Sequence, residues 1–150
     1  MNPNFIKSNK KRKIIEQLNK QFGIINLPYL LIESGKEKIR AFSGNLLKEE
    51  IKFLSRLINI ESIGIYLLKK ENGELRLNLD AIHLLKNQIV KNIIEINESQ
   101  LNDWLRGRDL NIKAERGIII IEYKKDFVGS GKSNGEKIFN YVPKERRLRK

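Results

Sequence analysis

The sequence predicts an α+β fold: a small N-terminal α/β domain, residues 1–88, packed on a C-terminal β pseudo-barrel domain, residues 89–150. Three observations point there. Up to residue 88, helical and strand periodicities alternate and are joined by tight turns. From residue 89 the rhythm changes to short apolar runs broken by Gly, Asn and Ser, with a single short helix. A hydrophobic fraction of 40% over 150 residues suffices for packed cores, and no proline-rich linker separates the two parts.

In chain order, Ser8 is a candidate N-cap for a helix over 9–21. Ile14, Ile15, Leu18 and Phe22 recur on one helical face, and Gly23 supplies the stop. Strands over 28–32 and 38–42 flank the turn Ser34-Gly35-Lys36, which reads as a hairpin. Residues 45–58 have helical spacing through Leu46, Leu47, Ile51, Leu54, Leu57 and Ile58. A second hairpin pairs 63–68 with 75–77 around Asn72-Gly73, because the Asn-Gly pair accepts the positive φ of a two-residue turn. A short amphipathic helix follows over 80–85.

In the second part, 90–96 reads as a strand. Asn97 or Ser99 caps a short helix that turns Leu101, Trp104 and Leu105 inward, and Gly107 ends it. Four more strands are expected over 110–113, 117–124, 127–132 and 136–140.

The run Asp126-Phe127-Val128-Gly129-Ser130-Gly131-Lys132-Ser133 ends like a nucleotide-binding P-loop. The P-loop pattern needs a Gly five positions before Gly131. That position is Asp126, an anion where phosphates would lie, and no helix pattern follows. Glycine here serves a bulge or the close approach of another backbone. Lys132 then stands as a point charge, either solvated or facing phosphate.

Charge is segregated. Residues 1–20 carry six Lys/Arg against one Glu, and residues 124–150 carry nine against three; the stretch between carries fifteen against fourteen. Most of the net +12 therefore sits at the two ends. That distribution points to a polyanion partner, whereas an ordinary soluble surface mixes its signs.

No catalytic constellation emerges. The chain has no Cys, so disulfides, thiolate metal sites and Cys nucleophiles are excluded. His83 is the single histidine and lies between Ile82 and Leu84, with no second ligand to complete a site. The carboxylates are scattered, and no glycine fingerprint for a dinucleotide follows the first strand. We therefore expect a non-enzyme without cofactor or metal. No apolar run approaches the roughly 20 residues of a membrane span, and the N-terminus lacks a signal peptide's apolar stretch, so a cytoplasmic setting is expected.

Residues 89–143 resemble a known family. The carriers are Trp104-Leu105-Arg106-Gly107-Arg108-Asp109-Leu110, then Gly117-Ile118-Ile119-Ile120-Ile121, then Val128-Gly129-Ser130-Gly131-Lys132. This pattern resembles the PUA domain, an RNA-binding pseudo-barrel. The ending Asn140-Tyr141-Val142-Pro143-Lys144 is similar to the PUA-like tail of Sun/Fmu-type 5-methylcytosine RNA methyltransferases. The whole layout, with Ile63-Gly64 through Asn72-Gly73 to Ala81 and Leu84, resembles the archaeal and eukaryotic Nip-seven ribosome-assembly factors.

The resemblance implies a non-catalytic RNA-binding protein in ribosome biogenesis or in rRNA or tRNA modification, accessory to an RNA methyltransferase or an assembly factor. It implies contacts at Arg106, Gly107, Arg108, Lys132 and Lys137, with Tyr141 and Lys144 beyond. Arg146 and Arg147 extend the basic ending past the family's pattern. Lys and Arg would hold phosphates, and Tyr141 would either stack on an unpaired base or fill the core. Arg106 and Arg108 would either reach RNA or compensate the helix dipole. The alternative is an interaction subunit whose basic ends dock an acidic protein.

Overall fold

The computed structural model describes residues 3–42, 47–58 and 64–149. The expected helical position Leu46 and the start of the second hairpin at Ile63 lie outside the described residues, as does the final Lys150.

The chain folds as mixed helix and strand with two sheets. The first sheet is a five-stranded antiparallel meander in the order β1-β2-β3-β4-β5: β1 (Asn4–Phe5), β2 (Leu30–Ser34), β3 (Lys38–Phe42), β4 (Ile65–Glu71) and β5 (Glu74–Leu77). Every neighbour in that sheet is the next strand in the chain: β2–β3 and β4–β5 are the tight hairpins the turn residues implied, while a helix lies between β1 and β2 and another between β3 and β4. Asn72 and Gly73 both adopt positive φ, 49° and 80°, the geometry a two-residue hairpin turn requires.

Helix α1 (Ser8–Phe22) buries Ile14, Leu18 and Phe22. Gly23 ends it at φ 87°, and its N–H donates to the Asn19 carbonyl. The start differs from expectation. Ser8 is the first helical residue rather than the cap, and Lys7 holds the cap position with no side-chain hydrogen bond. Helix α2 (Lys48–Leu54) is shorter than the expected 45–58, since residues 55–57 turn off after it. Its Ile51 packs on Ile32 from one side of the meander. Helix α3 (Leu79–Leu84) buries Ala81 and Ile82.

The second sheet has the order β6-β7-β8-β9: β6 (Ile93–Glu95), β7 (Gly117–Tyr123), β8 (Asp126–Ser133) and β9 (Ile138–Asn140). β6 runs parallel to β7, and the other pairs are antiparallel. β6 is shorter than the expected 90–96. The strand expected over 110–113 does not form a ladder; only Leu110 bridges to Ile138.

Asp126–Ser133 is strand β8 along its whole length, with β7 on one side and β9 on the other. Its backbone groups are engaged in those ladders, so the segment forms no phosphate-binding loop. The register slips between Ile121 and Glu122, which leaves Val128 as an extra residue, a β-bulge. Gly131 marks a close approach. A Cβ there would stand 2.4 Å from the Phe139 carbonyl oxygen and 2.8 Å from the Trp104 ring.

Side chains alternate between the two faces of the second sheet. Ile119, Ile121 and Ile138 join Trp104, Leu110 and Val142 in one core cluster. Ile118, Ile120 and Phe127 join the larger cluster built from α1, α3 and the first sheet. Polar ties accompany that packing. Ile118 N–H donates to Glu74 Oε1 at 3.2 Å, and His83 Nε2 lies 2.9 Å from the Phe127 carbonyl. The lone histidine is thus tied to backbone. Among the described residues no group of three His, Cys, Asp or Glu is arranged for a metal, and no helix is long and apolar enough to cross a membrane.

Helix α4 (Glu98–Leu105) begins with a reciprocal cap. Asn97 Oδ1 accepts from Gln100 N–H at 2.8 Å, and Gln100 Oε1 accepts from Asn97 N–H at 2.9 Å. Asn97→Ala is expected to cost about 1 kcal/mol in a denaturant titration; a cost near zero would mean that tertiary packing alone holds the helix start.

Candidate nucleic-acid interface

The site begins with Trp104. Its ring is fully buried, and Nε1–H donates to the Val128 carbonyl at 3.0 Å, the carbonyl that the bulge turns toward it. Gly129 and Gly131 leave room for the indole: a Cβ on Gly129 would lie 3.2 Å from Nε1. The inward turn read for this face is thus met by Trp104, while Leu101 and Leu105 are half-buried. With Trp104 fixed, the C-terminal end of α4 is fixed, and with it Arg106, Gly107 and Arg108.

Gly107 adopts φ 87° and its N–H donates to the Trp104 carbonyl. The chain then doubles back, and Arg108 N–H donates to the Asp103 carbonyl. Asn140 locks this corner. Its Nδ2 donates to the carbonyls of Trp104 at 2.8 Å and Arg108 at 2.9 Å, and its N–H donates to Asp109 Oδ1 at 2.9 Å. Its Oδ1 accepts from Val142 N–H at 2.7 Å. In sequence Asn140 is one of many asparagines; its role depends on where β9 ends, which no local signal marks.

The basic tail lies against the same corner. Leu148 N–H donates to the Leu105 carbonyl at 2.7 Å, closing an open carbonyl at the end of α4. Arg147 covers Gly107, where an added Cβ would stand 2.5 Å from its Cδ and Nε, and Arg147 Nε–H donates to the Val142 carbonyl. Arg106 reaches Asn102 Oδ1 at 3.3 Å and the Arg149 carbonyl at 3.5 Å. Arg106, Gly107, Arg108 and Arg147 therefore form one cluster, and the cations stand at the negative end of a helix dipole.

The other expected contacts fall in three places. Lys137 pairs with Asp109 at 3.7 Å, and its Nζ lies 4.8 Å from the centre of the Phe139 ring. Lys132 sits across the β8–β9 ladder from Phe139, and both border a small hollow with Arg116 and Glu74. Lys144 is exposed in a short 3-10 turn over Lys144–Arg146. Among the described residues Lys132 and Lys144 make no ion pair, whereas Arg108 is held by Asp103 at 2.7 Å.

Tyr141 and Arg146 face elsewhere, into a cleft of about 290 Å³ that both sheets line. Tyr141 is half-buried against the larger core, and the Arg76 guanidinium lies 3.8 Å from its ring centre. Burial pushes its phenol above the ordinary value, with Glu71 adding to the rise and Arg76 opposing it. Arg146 pairs with Asp80 of α3 at 3.0 Å. The exposed aromatic beside the cations is Phe139, which alternation along β9 puts opposite Ile138 and which the sequence reading did not single out.

Comparison with known proteins agrees with this geometry. Residues 91–148 match the family described as the methyltransferase RsmF PUA domain. Over 138 residues, 91% of the chain, the sequence is 26% identical to the ribosomal RNA small subunit methyltransferase F of two Vibrio cholerae serotype O1 strains. It is 22% identical over 143 residues to the enzyme of that name from Psychromonas ingrahamii. The chain spans 28% of the length of these relatives. The expected resemblance to the PUA-like part of Sun/Fmu-type methyltransferases is thereby met, and the stretch that matches this family's model carries the α4 corner, the bulged strand β8 and most of the basic tail.

Proposed function

We propose that the chain is a non-catalytic RNA-binding protein of rRNA modification, with the PUA domain as the RNA-contacting element. The observation that supports this most directly is the joining of Arg106, Arg108 and Arg147 around Gly107, within the segment matched to the PUA family. Lys132 and Lys137, flanking the exposed Phe139, extend the cationic surface along β8 and β9. Arginine forks grip phosphate bidentately or stack on bases, and lysines add point charge. Phe139 would take the stacking part first assigned to Tyr141.

On this reading the chain recognises structured RNA, rRNA before tRNA, in the cytoplasm. The methyl transfer or assembly step belongs to a partner. The part over residues 1–88 would pack on the PUA domain as a second domain and contact that partner.

The test is crosslinking of the protein to RNA in its own cells, with sequencing of the recovered RNA. A parallel sample carries Arg106, Arg108, Lys132 and Lys144 changed to Ala. Enrichment of one site in small-subunit rRNA, lost in the variant, is the expected result. Diffuse RNA recovered equally by both would sink the proposal and return attention to an acidic protein partner.

A further inference from the structure

The cleft between the sheets does not resemble a phosphate site. Arg76 and Arg146 are balanced there by Asp80 and Glu145, so an anion gains little net attraction. Asp80 shares its carboxylate with Arg146, and Arg76 pairs with Glu71, but aromatic rings and hydroxyls supply the rest of the lining. Tyr66 and Tyr141 line it, and the Arg76 guanidinium, itself part of the lining, lies 3.8 Å from the Tyr141 ring centre. No hydrogen bond occupies the hydroxyls of Tyr66, Tyr141 or Ser130 among the described residues, although Ser130 is 5% exposed and lies in the cleft lining. Both phenols are pushed above their ordinary values by burial, so they stay protonated as donors at neutral pH.

The volume decides the size of the guest. About 290 Å³ is at the small end for a ligand site and suits one planar ring system better than a folded nucleotide. Beside the cleft, and sharing Tyr66 with it, is a second hollow on the β2–β3 turn. That hollow is cationic, lined by Lys36, Lys38 and Lys69 against Glu37, and Lys38 Nζ lies 5.4 Å from the Tyr66 ring centre. A neutral slot with stacking walls next to a positive surface is what an unpaired nucleotide needs: the base enters one and its phosphates lie on the other.

We propose that this cleft takes one unstacked nucleobase of the bound RNA, stacked on Tyr66 or on the Arg76 guanidinium and read by Ser130 and Asp80. The inference rests on the RNA-binding reading above and extends it to the N-terminal sheet, since Tyr66, Arg76 and Asp80 all come from residues 65–84.

The experiment uses the full chain and a short RNA hairpin whose unpaired loop carries 5-iodouridine. Binding is followed by fluorescence anisotropy, and photocrosslinked peptides are identified by mass spectrometry. Crosslinks on the peptides holding Tyr66 or Tyr141 are expected, with affinity falling about tenfold in Tyr66→Ala. Ser130→Val, which narrows the slot without removing an aromatic, should lower the crosslink yield in the same direction, and thermal melts establish that each variant is folded. RNA bound at wild-type affinity by both variants, with crosslinks confined to the α4 corner, would overturn the cleft and leave the RNA-binding reading standing. Absence of any anisotropy change with the unaltered chain would overturn both.

Discussion

Replacing Arg106, Arg108, Lys132 and Lys144 together by Ala is expected to flatten the salt dependence of RNA binding. Each phosphate neutralised by the protein releases condensed counterions, at roughly 0.7 per contact on single strands and 0.9 on a duplex. Four lost contacts therefore lower the slope of log affinity against log salt by about 3, and the affinity lost between 50 and 200 mM salt shrinks about 50-fold. Lys132 and Lys144 should contribute most cleanly, since neither makes an ion pair among the described residues. Arg108 must first give up Asp103, at 2.7 Å, so its share is smaller. The check is a titration of one RNA at several salt concentrations with both proteins. Parallel lines would mean that these four side chains do not rest on phosphate, whatever the absolute affinities.

Trp104→Ala is expected to destabilise the fold by about 3–5 kcal/mol, the usual cost of emptying a fully buried large aromatic site. In a chain of this size that lowers the melting temperature by roughly 10 °C. Several features make the site unable to collapse. Gly129 and Gly131 have no side chains to fill the gap, and Val128 loses the donor to its carbonyl. The same change should loosen the corner that carries Arg106 and Arg108, because Asn140 Nδ2 ties the Arg108 carbonyl to that of Trp104. A melt followed by circular dichroism measures it, with Trp104→Phe as the milder companion. A loss under about 1 kcal/mol would show that the ring is not the pin of the corner.

Much of this was legible because turns and caps are written locally. Asn72-Gly73 demands one backbone geometry and adopts it, and Asn97 with Gln100 closes the cap of α4. The pair Gly129 and Gly131 read correctly as bulge and close approach rather than nucleotide loop, because Asp126 stands where glycine was required. Other features depend on partners distant in sequence. Residues 110–113 have strand-like composition, yet only Leu110 finds a neighbour, since β9 is three residues long. Tyr141 lies just past the end of β9 and turns to the larger core under Arg76, whereas Phe139, two residues earlier on the strand, stays exposed. Arg146 and Arg147 read as a basic extension of the RNA contact, but the partners that hold them, Asp80 and Val142, come within reach only in the folded chain.

Asn140 carries a last consequence, for the entropy of association. Four hydrogen bonds from one residue already hold the backbone of the α4 corner in place. A partner that lands there does not have to order a loop; it immobilises side chains alone, at about 0.5–1.5 kcal/mol each. Such a preorganised surface docks by rigid-body encounter, so differences among its RNA targets should appear in how slowly they leave rather than in how fast they arrive.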